Sequence, residues 1–191
     1  MSIPYFTEIA DGLSHTQVTC GTQAVTLEEG VSQWTCRARE LQRQGGTMFF
    51  CGNGASATMA EHMSHDWFQN GKVNTYTCSE TAHITAISND VSYEDVFAYR
   101  IERVLGEKDI LVTISSSGDS PNVVRAIEAA HRKGAFVVTL SGKSAGNRSR
   151  KLGDLNFYVP LDTYGLVESA HAVLLHDVLD SFLEEYMGGR H

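Results

Sequence analysis

Ile110-Leu-Val-Thr-Ile114 leads directly into Ser115-Ser-Ser-Gly-Asp-Ser-Pro-Asn122. The β-branched and apolar residues predict a buried strand, and Pro121 predicts the first position of a helix, where its missing N–H costs nothing. Such a junction presents free backbone N–H groups and the positive end of a helix dipole, which together favour an anion. Four serines and a glycine add hydroxyl donors and allow close approach of the backbone. The serine loop (115–120) therefore predicts either a phosphate monoester site or a turn whose serines only cap the helix.

The composition is ordinary for one globular domain. The chain has 191 residues, of which 42% are hydrophobic and 20% charged, and this length allows one substantial buried core. The formal net charge of −8 argues against a general nucleic-acid surface, which would be basic. It also means that local donors, rather than the overall field, must hold an anionic ligand.

Neither a membrane span nor an export signal is expected. No apolar stretch approaches the ~20 residues of a membrane-spanning helix, and the N-terminal residues lack the basic and apolar regions of a signal peptide. The four cysteines form no CxxC pair and are expected to be reduced thiols. The sequence therefore predicts a cytoplasmic protein that binds neither nucleic acid nor membrane.

Strands and helices alternate after residue 46. Apolar runs predict five strands, at 47–51, 73–77, 110–114, 136–140 and 155–159. Helices are predicted at 57–68, 93–105, 121–133 and 165–186, whereas 83–88 fits a helix or a short strand. This alternation predicts an α/β fold with a flavodoxin-like parallel five-stranded sheet flanked by helices. Ligands of such sheets bind at the carboxyl ends of the strands, beside a topological switch point.

The first 45 residues are predicted to be two helices, broken near Cys20-Gly-Thr-Gln23, the second running from about Val25 to Arg43. These helices have no strand to cover in the predicted sheet, so their apolar faces are expected to contact the last helix or another subunit. The predicted organisation is a single domain over 1–191, with N-terminal helices in 1–45 used in oligomerisation and an α/β sandwich in 46–191.

A second turn has the same setting as the serine loop. The glycine turn, Gly52-Asn-Gly-Ala-Ser56, follows a predicted strand and precedes a predicted helix. Its glycines permit backbone angles closed to other residues, and Asn53 and Ser56 offer side-chain hydrogen bonds. Simple turn geometry is the alternative for this motif alone. Because both turns follow strands of one parallel sheet, they are expected to face one pocket and to hold opposite ends of one sugar phosphate.

A predicted helix carries candidate metal ligands. His62 and Asp66 are four residues apart, so they project from one face and can share zinc or a similar divalent ion. His65 flanks His62 on the side away from Asp66 and is a weaker candidate. A polar surface face is the alternative interpretation.

The last predicted helix carries Glu168, His171 and His176 in a mainly apolar segment. Polar residues in such a helix need partners, which favours a polar pocket. Glu168 and His171 share a face, whereas His176 lies two turns, or ~12 Å of rise, beyond Glu168. Glu168 and His176 could therefore reach one metal only by leaning from different levels or by coming from different subunits. A satisfied core histidine is the alternative for His171.

The pair Asn89-Asp90 lies between apolar stretches. Asp90 is predicted either to accept hydrogen bonds from substrate hydroxyls or to cap the helix that begins near Tyr93.

Together these motifs resemble the sugar isomerase (SIS) domain family over nearly the whole chain, including the two leading helices. The Gly-Asn-Gly-x-Ser turn, the Ser-x-Ser-Gly-x-Ser-x-Asn loop and the Asn-Asp pair at 89–90 occur in the family's order and spacing. The resemblance implies a homotetramer with active sites at subunit interfaces. It also implies aldose–ketose isomerisation of a seven-carbon sugar 7-phosphate through an enediol.

The resemblance gives each candidate residue a role. The implied substrate-binding residues are Asn53, Ser56, Asp90, Ser115, Ser116, Ser117, Ser120 and Glu168. The implied ligands of one zinc ion per subunit are His62, Asp66, Glu168 and His176. Asp66 and His176 are the implied catalytic acid/base pair.

Three departures from the family pattern bear on the reaction. Asp66 stands where the family has a longer glutamate, Glu168 stands where it has a glutamine, and Gly165 stands where it usually has an acidic residue. Asp and Glu are both competent zinc ligands. Two alternatives stay open: an isomerase of another phosphorylated sugar, and a non-catalytic SIS protein that binds a sugar phosphate as a regulator or adaptor.

Overall fold

Helices and strands alternate along the chain after an N-terminal hairpin. The structure is a computed structural model that describes residues 4–189, and the remaining ends of the predicted domain lie outside the described residues. The helices are α1 Tyr5–Ser14, α2 Leu27–Gln44, α3 Ala55–Gln69, α4 Thr81–Asp90, α5 Ala98–Val104, α6 Pro121–Arg132, α7 Arg148–Leu152 and α8 Tyr164–Tyr186. The strands are β1 Gln17–Cys20, β2 Gln23–Val25, β3 Thr47–Gly52, β4 Asn74–Thr77, β5 Ile110–Ser115, β6 Phe136–Gly142 and β7 Leu155–Val159. Within the described part of the chain, no helix has the length and apolar character needed to cross a membrane.

The strands form one mixed sheet in the order β2-β1-β7-β6-β5-β3-β4. The five strands from β7 to β4 run parallel, in the strand order of a flavodoxin-like fold. The chain passes from β3 to β4 on one side of β3 and then to β5 on the other side. The topological switch point therefore lies between β3 and β5.

An antiparallel hairpin corrects the prediction of a five-stranded, all-parallel sheet. Strand β1 pairs antiparallel with β7, and β2 pairs antiparallel with β1. The two-residue turn between them begins at Gly21, whose φ of +54° is the left-handed conformation that such turns require. The predicted break near Cys20 is thus a hairpin. The β-branched residues Val18 and Thr19 beside the turn were the available signal for it.

Helix α2 covers the sheet, so the prediction that the leading helices have no strand to cover is wrong. Trp34 is only 1% exposed, and its ring centroid lies 5.6 Å from that of Phe157 in β7. Gly30 allows this close approach, because a Cβ there would lie 2.6 Å from Cγ1 of Val18. Helices α1 and α2 also contact α8, as predicted.

Apolar cores lie on both faces of the sheet. Successive strand residues point to opposite faces, so Phe49 and Phe50 belong to different cores. Helices α2, α3 and α8 cover the core that contains Phe50, and α5 and α6 cover the other. The ring centroids of Trp67 on α3 and Phe182 on α8 are 4.9 Å apart. This contact holds together the two helices that carry the candidate metal ligands.

Three further segments differ from, or complete, the predicted pattern. The ambiguous stretch 83–88 lies within helix α4. The single helix predicted over 93–105 is a turn of 3₁₀ helix, Tyr93–Asp95, followed by the separate helix α5. Helix α7 was not predicted, because five residues are too few to show a helical period.

His171 lies fully buried in α8, which confirms the core position but not the full hydrogen bonding of the satisfied-core interpretation, because its Nδ1 has no hydrogen-bond partner among the described residues. Its Nε2 is 3.2 Å from the carbonyl oxygen of Ser141. Burial lowers the pKa of His171 to about 4, and the hydrogen bond to Ser141 opposes that shift only in part. The imidazole of His171 therefore stays neutral in the folded chain at pH values where the same side chain is protonated in the unfolded chain.

We expect the free energy of unfolding to fall as the pH drops from about 6.5 to about 4. In that window the unfolded state binds a proton at residue 171 that the folded state does not, which costs up to about 3 kcal/mol. His171→Gln keeps a donor for Ser141 but cannot titrate, so urea unfolding at several pH values should show a smaller slope. Leu174→Met, a buried change on the same helix, is the control and should keep the original slope. Equal slopes for His171→Gln and the unaltered chain would contradict the assignment.

Candidate active site

The glycine turn and the serine loop lie side by side at the switch point. Gly52 pairs with Ile114 at the ends of β3 and β5, so both turns leave the sheet at the same level. The approach is close enough to require glycine, since a Cβ at Gly52 would lie 2.8 Å from the carbonyl oxygen of Ile114. Gly54 precedes α3 with a φ of +57°, which a side chain would disfavour.

Between the two turns lies a cavity of about 230 Å³. It brings together seven of the predicted substrate-binding residues. The lining residues are Asn53, Ser56, Ile114, Ser115, Ser116, Ser117, Ser120, Tyr164 and Glu168. Tyr164, an exposed residue in the first turn of α8, was not among the predicted site residues.

The four serines of the serine loop differ in their surroundings. Ser115 Oγ accepts a hydrogen bond from Gly118 N–H at 3.2 Å, so this hydroxyl supports the loop itself. Ser116 Oγ is buried and has no hydrogen-bond partner among the described residues. Ser117 and Ser120 are half-buried, and both line the cavity. Ser117 Oγ also accepts from Asp119 N–H at 3.3 Å, but its own proton is still available to a ligand. The hydroxyls of Ser116, Ser117 and Ser120 are therefore candidates to bind a ligand.

A reciprocal amide pair joins the two turns. Asn53 Nδ2 donates to Asn122 Oδ1, and Asn122 Nδ2 donates to Asn53 Oδ1, both at 2.9 Å. Tyr93 Oη donates to the same Asn53 oxygen at 3.0 Å. Asn122 is 2% exposed and also accepts from Val123 N–H. Asn122 ends the motif that predicted the loop, but its role as the link to Asn53 was missed.

The cavity combines positive and negative groups. Helix α6 begins at Pro121, and the side chain of Ser120 makes no capping hydrogen bond, so the positive helix end stays available for an anion. Lys143 Nζ lies 3.9 Å from the ring centroid of Tyr164, which brings a cation to the edge of the cavity. Glu168 supplies a carboxylate to the lining. The arrangement can hold an anion at the serine loop and hydrogen-bond hydroxyl groups at Glu168.

A second cluster lies farther along α3 and α8. Ligand atoms of His62, Asp66 and His176 all lie within 4.8 Å of one another. His62 Nε2 is 3.2 Å from Asp66 Oδ2, and the rings of His62 and His176 have centroids 5.3 Å apart. Tetrahedral zinc with bonds near 2.0–2.1 Å places neighbouring ligand atoms about 3.3 Å apart. The donor set suits zinc, and the His62–Asp66 distance of 3.2 Å matches that spacing.

The other candidate ligands lie apart from this cluster. Glu168 lines the cavity and is not among the three convergent residues. His65 is exposed and is likewise not part of the cluster. His171 is buried against Ser141. The structure therefore brings together three of the four predicted ligands within one chain.

Asp90 does not cap a helix, so that alternative is wrong. It is the last residue of α4, and the following 3₁₀ turn has Ser92 in its N-cap position. The Asp90 carboxylate accepts a hydrogen bond from Asn89 Nδ2 at 2.8 Å and is exposed. A contact between Asp90 and substrate hydroxyls stays a prediction.

Comparisons with known proteins agree with this geometry. A family model for the SIS domain matches residues 22–142, more than half of the chain. Phosphoheptose isomerase of Alkalilimnicola ehrlichii is 36% identical over 161 residues, covering 80% of this chain and 81% of the relative. Phosphoheptose isomerase of Thiobacillus denitrificans is 32% identical over 151 residues, covering 73% of this chain and 77% of the relative. The solved phosphoheptose isomerase of Neisseria gonorrhoeae superposes with a TM-score of 0.80 at 27% identity, covering 93% of this chain and 95% of that one.

We expect the purified protein to bind about one zinc ion per chain, and His62→Ala or His176→Ala to remove most of it. Each substitution deletes one of three convergent donors, as elemental analysis after dialysis would measure. His15→Ala is the matched control, because His15 and Asp11 form a similar i,i+4 pair, with an N–O distance of 3.5 Å, outside the cluster. Equal zinc content in all four proteins would show that the cluster does not bind the metal.

Proposed function

The chain belongs to the SIS domain family, and we propose that it is a phosphoheptose isomerase that interconverts sedoheptulose 7-phosphate and a D-glycero-manno-heptose 7-phosphate. The relatives that bear the name phosphoheptose isomerase cover most of this chain. The observation that carries the proposal is the spacing, along α3 and α8, between the serine-lined cavity and the His62–Asp66–His176 cluster.

The same two helices carry both parts of the site. Helix α3 carries Ser56 at the cavity and His62 six residues later, a rise of about 9 Å. Helix α8 carries Glu168 at the cavity and His176 eight residues later, a rise of about 12 Å. In a heptose 7-phosphate, the phosphate and the reacting carbons C1 and C2 lie at opposite ends of the carbon chain. This spacing supports a substrate whose phosphate is held in the cavity while C1 and C2 lie toward the cluster.

Because the net charge of the chain is −8, the phosphate must be held by local hydrogen-bond donors rather than by the overall field. Ser117 and Ser120 line the cavity, and α6 begins at the next residue, Pro121, so its positive end lies beside them. Binding energy from the phosphate, which does not react, positions the reacting carbons. Asn53, fixed by Asn122, lines the same cavity and is proposed to hydrogen-bond the sugar phosphate there.

Asp66 and His176 serve as the acid/base pair. The Asp66 carboxylate takes the proton from the hydroxyl-bearing carbon next to the carbonyl carbon, which leaves an enediol, and returns that proton to the former carbonyl carbon. His176 gives a proton to the carbonyl oxygen and takes one from the neighbouring hydroxyl. Such groups contribute roughly 10²–10⁴-fold to the rate. Asp66 is one methylene shorter than the family's glutamate, so the carbon that it reaches lies closer to α3.

Zinc is proposed as the cofactor, with His62, Asp66 and His176 as ligands from one chain. Glu168, which lies apart from this cluster in the same chain, is proposed as the fourth ligand only from another subunit. A divalent ion held by these residues would polarise the substrate carbonyl. The exposure of both histidines leaves the metal position open to the substrate, as in catalytic zinc sites.

A second candidate, an isomerase of another phosphorylated sugar, is favoured by one observation at Gly165. A Cβ there would lie 2.8 Å from Tyr5 Oη, so the Tyr5 hydroxyl takes the space where the family usually has an acidic side chain. A non-catalytic adaptor is the weaker alternative, because such a protein has no need for three convergent metal-competent residues.

The cytoplasmic location and the homotetramer are also part of the proposal. The four cysteines are free thiols, which suits a reducing compartment. Helix α1 presents Tyr5 and Phe6 at 52% and 74% exposure. Exposed aromatic side chains of this kind support a subunit interface formed by the leading helices.

We expect Asp66→Asn to lower kcat for sedoheptulose 7-phosphate by about 10²–10⁴-fold, because the amide cannot take the proton. Turnover measured by product analysis tests this, and Asp11→Asn, which changes the other His–Asp helix pair, should leave kcat unaltered. Unchanged turnover in Asp66→Asn would show that Asp66 is not the base. Turnover of a different phosphosugar, but not of this one, by the unaltered protein would favour the second candidate.

We expect Ser117→Ala and Ser120→Ala each to raise KM by about tenfold or more, because a hydrogen bond to a charged group contributes roughly 1.5–3 kcal/mol. Their kcat should change much less, since the hydroxyls lie far from the reacting carbons. Steady-state kinetics with Ser14→Ala as the control measures both constants. An unaltered KM in both variants would argue that the phosphate binds elsewhere.

A further inference from the structure

The serine loop is supported from behind by the segment that follows β6. We call residues 143–149 the supporting segment. Immediately before it, Gly142 N–H donates to the Ser116 carbonyl at 3.1 Å, and at its end Ser149 N–H donates to the Gly118 carbonyl at 2.9 Å. Two backbone hydrogen bonds therefore attach the serine loop to this region.

Asn147 is the buried centre of the supporting segment. It is 1% exposed, and its amide nitrogen donates to the Ser144 carbonyl at 2.8 Å and to Ser141 Oγ at 3.1 Å. Its Oδ1 accepts from Arg150 N–H at 2.9 Å and so caps α7. Because both ends of the amide are bonded, the side chain is fixed in one orientation.

The backbone of the serine loop rests directly against this amide. Gly118 has a φ of +67°, and a Cβ there would lie 2.1 Å from Asn147 Oδ1. The Cα of Gly118 thus contacts a group whose position is set by three hydrogen bonds. Gly118 lies between Ser117 and Ser120, the two half-buried serines that line the cavity.

The same segment also compensates an acidic residue in the loop. Asp119 Oδ1 accepts from the backbone N–H of Arg148 at 2.9 Å and lies 3.4 Å from its Nε. The carboxylate is directed toward the supporting segment, where the guanidinium offsets its charge. A free carboxylate in this loop would repel a phosphate.

We propose that Asn147 is a positioning residue for phosphate binding. It sets the place of Gly118 and, through it, the places of the Ser117 and Ser120 hydroxyls, while Arg148 keeps the Asp119 carboxylate away from the anion. This inference rests on the proposed function in assigning the loop to a phosphate. It adds residues that contact no substrate.

The test measures the binding of inorganic phosphate by calorimetry, which does not depend on turnover. We expect Asn147→Ala to weaken phosphate binding by at least tenfold, and in the isomerase assay to raise KM with kcat changed less than threefold. The matched control is Asn156→Ala. Asn156 is also 1% exposed and bonded on both sides of its amide, to Thr139, Thr19 and Gly153, but it does not contact the serine loop. This variant should lower the thermal midpoint while leaving phosphate affinity within twofold.

A surface variant keeps the proposal testable if Asn147→Ala does not fold. Arg148→Ala removes an exposed side chain and should weaken phosphate binding several-fold, whereas Arg148→Lys should restore part of it. Phosphate affinity within twofold of the unaltered chain in both Asn147→Ala and Arg148→Ala would overturn the proposal, as would a lack of phosphate binding by the unaltered chain. Phosphate binding that depends on Asn147, without turnover of sedoheptulose 7-phosphate, would instead overturn the proposed function and leave the positioning role intact.

Discussion

The parallel pairing of β3 with β5 is the constraint on which the candidate site depends. A parallel ladder fixes register, because a slip of one residue would turn every side chain to the other face. With Gly52 opposite Ile114, the glycine turn and the serine loop leave the sheet together, and α3 and α6 both begin at that edge. The Asn53–Asn122 amide pair then joins the two turns directly. The cavity is therefore a consequence of strand pairing rather than of either turn alone.

The parallel strands of the sheet could be predicted from the sequence. Buried β-branched runs are distinctive, so the five predicted strands match β3 to β7 with limits within one or two residues at each end. The hairpin was harder to predict, because β1 is short and its pairing with β7 joins residues 17–20 to residues 155–158. No local period encodes a contact at that separation. In the structure, β1 and β7 provide a surface that α2 covers. Because β1 was not predicted, the apolar face of α2 was assigned to the last helix or another subunit.

Site residues that belong to a local motif could be predicted from the sequence, whereas residues that act through contacts distant in the chain could not. Ser56, the loop serines and Glu168 follow from local motifs, and they line one cavity. Lys143 and Asn147 act on residues of a neighbouring loop or helix, so no motif identified them. Asn122 stood in the loop motif, but its bond to Asn53 joins residues 69 positions apart and was not predicted. The charges near the cavity were likewise only partly predictable. The net charge of −8 indicated that an anion must be held by local donors. The neighbouring pairs, Arg148 with Asp119 and Lys143 with Tyr164, are visible only in the structure.

The separation of His62 and Asp66 from His176 has a consequence for biosynthesis. His176 lies more than a hundred positions after His62 and Asp66 in the chain, so α8 leaves the ribosome well after α3. A nascent chain grows at roughly 5–20 residues per second, so for several seconds α3 exposes only the i,i+4 pair of candidate metal ligands. The complete donor set forms when α8 closes over Trp67 through Phe182. The proposed zinc site is therefore complete only after α8 has packed, and a chain that stalls before α8 lacks both His176 and the cavity lining from Tyr164 and Glu168.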